Sequence, residues 1–233
     1  MADAAVETGT LDLDGVRIAY RSAGPADAPP LVLLHALGET AADWDEALPA
    51  LAARHRVHAL DLRGHGSSSW PGPGSYGLES MRDDVLRVLD GFGFEQVDLL
   101  GHSLGGMVAH LCAQHRPHRV RRLVLEDIGT PVPRTPTAPE RPEGDLDFDW
   151  DMVLAVRAQI DRPEARWLDG LSRITARTLV IGGGPDSHVP QARVAELARR
   201  VPDARLVTIP AGHLVHRAEP DRFTREVLAF LEG

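Results

Sequence analysis

The sequence contains a single cysteine, Cys112, among its 233 residues. One cysteine excludes an intrachain disulfide framework and any zinc site built from several cysteines. Cys112 lies in M-V-A-H-L-C-A, a stretch with the composition of a helix. We expect its thiol to be buried and unreactive, because an unpaired cysteine in such a segment usually packs as a small apolar side chain.

The sequence also lacks an excess of positive charge. It has 25 Lys and Arg residues against 34 Asp and Glu residues, a formal net charge of -9, and only 5% aromatic residues. A nucleic-acid-binding protein normally shows a basic surface or a platform of aromatic rings on which bases stack. We therefore expect no nucleic-acid partner.

Long hydrophobic runs are absent as well. No stretch of about 18 apolar residues occurs, so we expect no transmembrane helix. The first ten residues, M-A-D-A-A-V-E-T-G-T, are acidic and lack the apolar core of a signal peptide. These features predict a cytoplasmic protein without a membrane partner, and they do not indicate an oligomeric state.

What the sequence does contain is an alternation of short apolar runs and amphipathic segments, with 43% hydrophobic residues overall. A hairpin is expected over residues 10–22. Strands are expected at 31–34, 56–62, 97–100 and 119–126, and helices at 41–54, at 78–91 and from the serine turn to Pro117. This order predicts an α/β fold with a mostly parallel central sheet and helices on both faces.

The alternation is interrupted over residues 131–172. Residues 131–142 contain five prolines in twelve positions, which excludes a regular helix or a central strand there. Two short helices are expected next, and the strand–helix alternation then resumes at residue 177. We therefore predict a core domain formed by residues 1–130 and 173–233, with residues 131–172 as a short Pro-rich and helical cap.

Residues 97–106, V-D-L-L-G-H-S-L-G-G, place a serine between glycines where a strand ends and a helix begins. A serine hydroxyl is a weak nucleophile that needs a base, a group to orient that base, and donors for the oxyanion. Gly101 and Gly105 permit the tight turn on which the hydroxyl of Ser103 is exposed. The backbone N–H of Leu104, at the helix start, points to where negative charge would develop.

On these residues the sequence resembles the α/β-hydrolase superfamily, in its single-domain, short-capped branch. The resemblance covers nearly the whole chain. It rests on five motifs in the family's order: L-V-L-L-H-A-L-G, L-D-L-R-G-H-G-S-S, V-D-L-L-G-H-S-L-G-G, T-L-V-I-G-G-G-P-D-S-H-V-P and I-P-A-G-H-L-V-H.

The resemblance implies a catalytic triad of Ser103, Asp186 and His213. His213 matches the family's base near the C-terminus, and Asp186 matches the acid of its G-x-x-D pattern. Some relatives take the acid from the strand before the cap, which here reads V-L-E-D-I-G, so Asp127 or Glu126 is the alternative. We favour Asp186.

The resemblance further implies an oxyanion hole formed by the backbone N–H groups of Leu37 and Leu104. Ala36 stands where relatives usually have glycine, and a left-handed backbone there would cost an alanine roughly 1 kcal/mol or more. We expect His35 to brace this loop by hydrogen bonding, as His65 and Asp61 brace theirs. His216 is expected to pack or to support His213 rather than bind a metal, because no carboxylate cluster accompanies the two histidines in sequence.

These residues together predict a serine hydrolase that cleaves a carboxylic ester, or a related acyl bond, of a small to medium apolar substrate through an acyl-enzyme. We expect a small-molecule partner and no cofactor, since no dinucleotide fingerprint or phosphate loop occurs. Two alternatives remain open. One is a C–C bond hydrolase acting on a vinylogous diketone, and the other is a hydrolase fold serving as a small-molecule receptor or a non-hydrolytic biosynthetic enzyme.

Overall fold

A computed structural model describes residues 6–233. Its eight strands form one sheet, with the order β1-β2-β4-β3-β5-β6-β7-β8. The strands are β1 Glu7–Leu13, β2 Val16–Ala23, β3 Pro30–Leu34, β4 Arg56–Leu60, β5 Val97–His102, β6 Val120–Glu126, β7 Arg177–Gly182 and β8 Ala204–Thr208. β1 and β2 form the expected antiparallel hairpin, β2 also runs antiparallel to β4, and all the other pairs are parallel.

Eight α-helices accompany the sheet in the described part of the chain. They are α1 Leu48–Ala52, α2 Leu78–Gly91, α3 Leu104–His115, α4 Trp150–Asp161, α5 Ala165–Asp169, α6 Gln191–Arg200, α7 Val215–Ala218 and α8 Pro220–Glu232. None of the helices over residues 6–233 is long and apolar enough to cross a membrane.

Two hydrophobic cores lie on opposite faces of the sheet, which explains the uninterrupted apolar strands. In β3, Val32 and Leu34 pack into one core, and Leu31 and Leu33 pack into the other. Both faces of a central parallel strand are covered by helices, so every side chain of the strand is buried. The structure confirms the predicted α/β architecture.

The helix expected over residues 41–54 is divided in two. A 3-10 turn covers Ala41–Trp44, and α1 begins only at Leu48. Pro49 has no N–H to donate to a carbonyl one turn earlier, so it is compatible with the first turn of a new helix and not with the middle of a longer one. The proline therefore explains the break that hydrophobic spacing alone did not predict.

The segment predicted as a cap joins the larger core through its helices. Met152 and Val156 of α4 and Trp167 of α5 are buried in the same cluster as α2 and α3. The side chain of Gln159 accepts a hydrogen bond from the amide of Leu78 at 3.0 Å. The helices of this segment are thus packed against the strand–helix core, while residues 133–147 are mostly exposed.

Candidate active site

The carboxyl ends of the parallel strands bring the predicted site residues to one edge of the sheet. Ser103 follows β5, and Asp127 follows β6. The loops after β7 and β8 meet there as well, because the amide of Gly212 donates to the carbonyl of Gly183 at 2.9 Å. Parallel strands end at the same edge, so residues distant in sequence become neighbours there.

Ser103 occupies a strained turn between β5 and α3. Its backbone has φ 49° and ψ -112°, a conformation that side-chain-bearing residues rarely adopt. A Cβ on Gly101 would collide with the backbone of Gly105, and a Cβ on Gly105 would collide with the carbonyl of Leu34. The two glycines are therefore required by the close approach of neighbouring backbone, as the sequence pattern indicates.

His213 pairs with Asp127, not with Asp186. Nδ1 of His213 lies 2.7 Å from Oδ2 of Asp127. Asp186 has an exposed side chain on the loop after β7. The choice of Asp186 as the acid is therefore corrected to Asp127, the alternative from the strand before the cap.

Asp127 is buried and held by several donors. Its Oδ1 accepts from the amide of Gly183 at 2.8 Å and from Nε2 of Gln191 at 3.1 Å, and its Oδ2 accepts from the hydroxyl of Ser187. Burial raises the pKa of the Asp127 carboxyl, but the hydrogen bonds, led by that from His213, outweigh it and hold the pKa below its ordinary value. The group is an anion at neutral pH.

The physical reason for the correction lies in the loop of residues 183–191. This loop matches the family's acid motif in sequence, but it supplies hydrogen-bond donors to Asp127 and turns Asp186 outward. Asp127 itself has a positive φ of 45°, directly after the last residue of β6. The sequence did indicate Asp127 in one way, because it is an acidic residue at the end of β6, the strand beside β5. The contributions of Ser187 and Gln191 had no comparable signal.

His213 contacts two other histidines, His102 and His188. Its carbonyl accepts a hydrogen bond from Nε2 of His102, the residue before Ser103, at 2.9 Å. The ring of His188 lies 4.1 Å from the ring of His213, measured between centroids. Burial, followed by the proximity of the His213 ring, lowers the pKa of His188. His188 is exposed on its loop, and its contact with His213 was not predicted.

The loop after β3 carries the second predicted oxyanion donor. Within residues 6–233, neither the amide of Leu37 nor that of Leu104 donates a hydrogen bond to another protein group. The left-handed residue of this loop is Gly38, with φ 83°, and Ala36 has no positive φ. The alanine that replaces the usual glycine therefore carries no backbone strain of this kind.

The bracing residues of the neighbouring loops behave as expected. Nε2 of His35 accepts from the amide of Leu62 at 3.0 Å, and Nε2 of His65 accepts from the amide of Gly38 at 3.2 Å. Asp61 accepts from the amide of Ala41 at 2.7 Å. Burial lowers the pKa of His35 to about 4 and that of His65 to about 3, so both rings are neutral.

One group of side chains in the described residues has the donor types of a metal site. Donor atoms of Asp43, His102 and His216 lie within 4.8 Å of one another, and all three residues are buried. The guanidinium of Arg217 contacts Asp43, however, and places a positive charge where a cation would bind. We therefore interpret the group as an ion-pair cluster and assign no metal to it.

Comparisons with known proteins identify the family of the fold. The family model of the alpha/beta hydrolase fold matches residues 29–161. The magnesium-chelatase 30 kDa subunit of Rhodobacter capsulatus is 30% identical, over 90% of this chain and 89% of that protein. The pimeloyl-[acyl-carrier protein] methyl ester esterase of Aeromonas hydrophila subsp. hydrophila is 29% identical, over 87% and 95%.

A solved structure shows the same architecture. The crystal structure of a hydrolase from Pseudomonas aeruginosa PA01 has a TM-score of 0.78 and 32% sequence identity, and it covers 97% of this chain and 98% of that one. With the family model matching more than half of the sequence, this protein belongs to the α/β-hydrolase fold family and, within it, to the hydrolases.

Proposed function

We propose that the protein is a serine hydrolase that cleaves a carboxylic ester, or a related acyl bond, of a small to medium apolar substrate. The observation that carries this proposal is the 2.7 Å pairing of His213 with the buried anion of Asp127, at the same sheet edge as the strained turn of Ser103. A nucleophile, a base and a group that orients the base are the minimum set for acyl transfer.

In the proposed reaction, Asp127 holds the Nδ1–H of His213 and leaves Nε2 as the base. The hydroxyl oxygen of Ser103 attacks the acyl carbon while its proton moves to Nε2. The C–O bond of the ester then breaks, and Nε2 returns the proton to the leaving alkoxide, so that an alcohol departs. Water attacks the acyl-enzyme by the same proton path, which releases the carboxylic acid and restores Ser103.

Two backbone donors support this chemistry. The amides of Leu37 and Leu104 have no protein acceptor in the described structure, and we propose that they donate to the oxyanion formed during attack. Leu104 is the first residue of α3, where the helix dipole also favours negative charge. The apolar preference is supported by Phe148, whose ring lies against Gly38 of the same loop.

The test is a series of p-nitrophenyl esters with acyl chains of two to eight carbons, assayed with the wild type and with Ser103→Ala. We expect the wild type to hydrolyse them with a chain-length optimum, and the variant to lose at least about a thousandfold in kcat. A vinylogous diketone is assayed in parallel. Preferential cleavage of the diketone would replace the ester by a C–C bond as the substrate. Equal rates for the wild type and the variant would contradict the serine mechanism.

A further inference from the structure

A second pairing of histidine with carboxylates lies behind the site. Nδ1 of His216 is 2.9 Å from Oε1 and 3.0 Å from Oε2 of Glu126, and Nε2 of His216 is 3.1 Å from Oδ1 of Asp43. The side chains of all three residues are at most 1% exposed. None of them has a role in the reaction described above.

The geometry determines the charge of the His216 ring. A neutral imidazole has only one N–H, so one of its nitrogens would present a lone pair to a carboxylate. Only a doubly protonated ring carries a proton on Nδ1, which donates to Glu126, and also one on Nε2, which lies within ion-pair distance of Asp43. Burial lowers the pKa of His216, but the charge of Glu126 and the close contacts with Asp43 and Glu126 outweigh it and raise that pKa to about 10.

The other neighbours of the cluster are one arginine, a neutral histidine and two aromatic rings. Arg217 contacts Asp43 and lies 2.5 Å from Glu39 at the exposed end. The ring of His102 is 5.1 Å from that of His216, and burial lowers the pKa of His102 to about 4, so this ring is neutral. The remaining packing is aromatic, with the Trp44 ring at 4.4 Å and the Phe223 ring at 5.9 Å.

Two residues of this cluster, Glu126 and His216, adjoin residues of the proposed triad. Glu126 directly precedes Asp127, and its carbonyl accepts from the amide of Ser103 at 3.1 Å. His216 follows His213 by three residues, and its own amide also donates to Glu126 at 2.9 Å. The cluster therefore connects the start of α7 with the end of β6. His213, the proposed base, lies just before α7, and Asp127, the proposed acid, lies just after β6.

We propose that Glu126, His216 and Asp43 form a buried carboxylate–imidazolium–carboxylate unit that positions His213 against Asp127 and beside Ser103. These are positioning residues, and their effect on catalysis rests on the proposed hydrolase function. An imidazolium between two carboxylates restrains the loop of residues 212–216 from two sides, because each ring nitrogen lies 3.1 Å or less from a carboxylate oxygen. A displacement of about 1 Å at the base can cost about a hundredfold in rate.

The primary experiment detects the charge of His216 directly, by ring-nitrogen NMR of protein labelled with ¹⁵N-histidine. His216→Gln assigns the signal. We expect both ring nitrogens of His216 to carry protons at pH 8, with deprotonation far above the ordinary range of histidine. A single protonated nitrogen at pH 8, or a midpoint near 6.5, would overturn the proposal. Zinc bound in a 1:1 ratio by the wild type and lost in His216→Gln would also overturn it.

The kinetic arm compares His216→Gln and Glu126→Gln with His110→Gln. His110 is another fully buried histidine, hydrogen-bonded to Gln114 on α3, and serves as the control for loss of packing. We expect kcat to fall about 10- to 100-fold for the first two variants with KM nearly unchanged, and to stay at the wild-type value for His110→Gln. Equal kcat values in all three folded variants would leave the cluster a purely structural role and contradict the proposal.

The NMR and kinetic experiments distinguish a failure of this proposal from a failure of the hydrolase function on which it rests. A wild type that never acylates at Ser103, with His216 doubly protonated, would refute the hydrolase and with it the positioning role, and would leave the charged cluster established. A wild type that turns over esters while His216 titrates near 6.5 would refute the cluster alone.

Discussion

Asp127 is the residue on which the site geometry depends most. It combines a left-handed backbone, with φ 45°, and a buried carboxylate that receives hydrogen bonds from His213, Gly183, Ser187 and Gln191. A non-glycine residue in that conformation costs about 1–3 kcal/mol, which the surrounding hydrogen bonds offset. The strain places the carboxylate where it can orient the imidazole.

Replacing Asp127 and Asp186 separately distinguishes their roles. We expect Asp127→Asn to lower kcat by about ten-thousandfold, because an amide cannot hold the Nδ1–H tautomer of His213. Asp186→Asn should change kcat by less than about twofold, since that carboxylate is exposed and surface substitutions are usually mild. The measurement is kcat on the best p-nitrophenyl ester. A large loss with Asp186→Asn and a small one with Asp127→Asn would contradict the assignment.

Sequence reasoning predicted Ser103 as the nucleophile and His213 as the base, and the structure places both at the same sheet edge. Each is marked by a local pattern of glycines after a strand. Sequence reasoning preferred the wrong acid, because the loop of residues 183–191 carries the motif of the acid while donating hydrogen bonds to Asp127 instead. The pairing of Asp43, Glu126 and His216 had no local signal. It depends on three segments that only the packed sheet brings together.

At the scale of secondary-structure elements, the junction of β5 and α3 controls the site. The amide of Gly105 donates to the carbonyl of His35 at 3.0 Å, and there is no room for a Cβ at that position. The junction therefore ties the turn of Ser103 to the loop that carries Leu37. Both proposed oxyanion donors depend on this one close approach.

Gly105→Ala tests the junction. We expect a loss of about 3 kcal/mol in the free energy of unfolding, because the added methyl group meets backbone that cannot rotate away. Gly91→Ala is the matched control, since its Cβ would meet only the side chain of Leu11, at 3.3 Å. The control should change stability by about 1 kcal/mol or less. Urea denaturation measures both variants, and equal effects would show that the approach at Gly105 is not required.

The boundaries of several elements could be predicted from the sequence, because central strands are continuous apolar runs and α2 has a clear apolar stripe. The expected helix at 78–91 has the bounds of α2. The prediction of one helix over 41–54 was wrong because hydrophobic periodicity shows only which face of a helix is buried. It does not show that Pro49 lacks the backbone N–H that a continuous helix needs. The two cores were implied by the parallel alternation, but which side chain enters which core follows only from the register.

At the scale of the whole molecule, buried neutral histidines make the fold sensitive to acid. Burial lowers the pKa of His35, His58, His102 and His110 to about 4 and that of His65 to about 3. In the unfolded chain these rings have pKa values near 6.5. Below pH 6.5 the unfolded state therefore binds more protons than the folded state, and stability is lost as the pH falls toward 4.

We expect the free energy of unfolding to fall steeply between pH 6.5 and 4, by at most about 1.4 kcal/mol per pH unit for each buried histidine. The raised pKa of His216 acts in the opposite direction. Its contribution is complete below pH 6.5 and is lost as the pH rises through about 10. Urea denaturation at pH values from 4 to 10 measures both trends. A constant free energy of unfolding between pH 7 and 5 would contradict this description of the core.

The most direct test of the central claim is covalent labelling of Ser103 by a fluorophosphonate, followed by intact-mass measurement of the wild type and of Ser103→Ala. We predict a single adduct on the wild type and none on the variant, because only a serine activated by His213 attacks the phosphorus and displaces fluoride. No adduct on the wild type, under conditions that label an ordinary serine esterase, would show that Ser103, His213 and Asp127 do not form a working site.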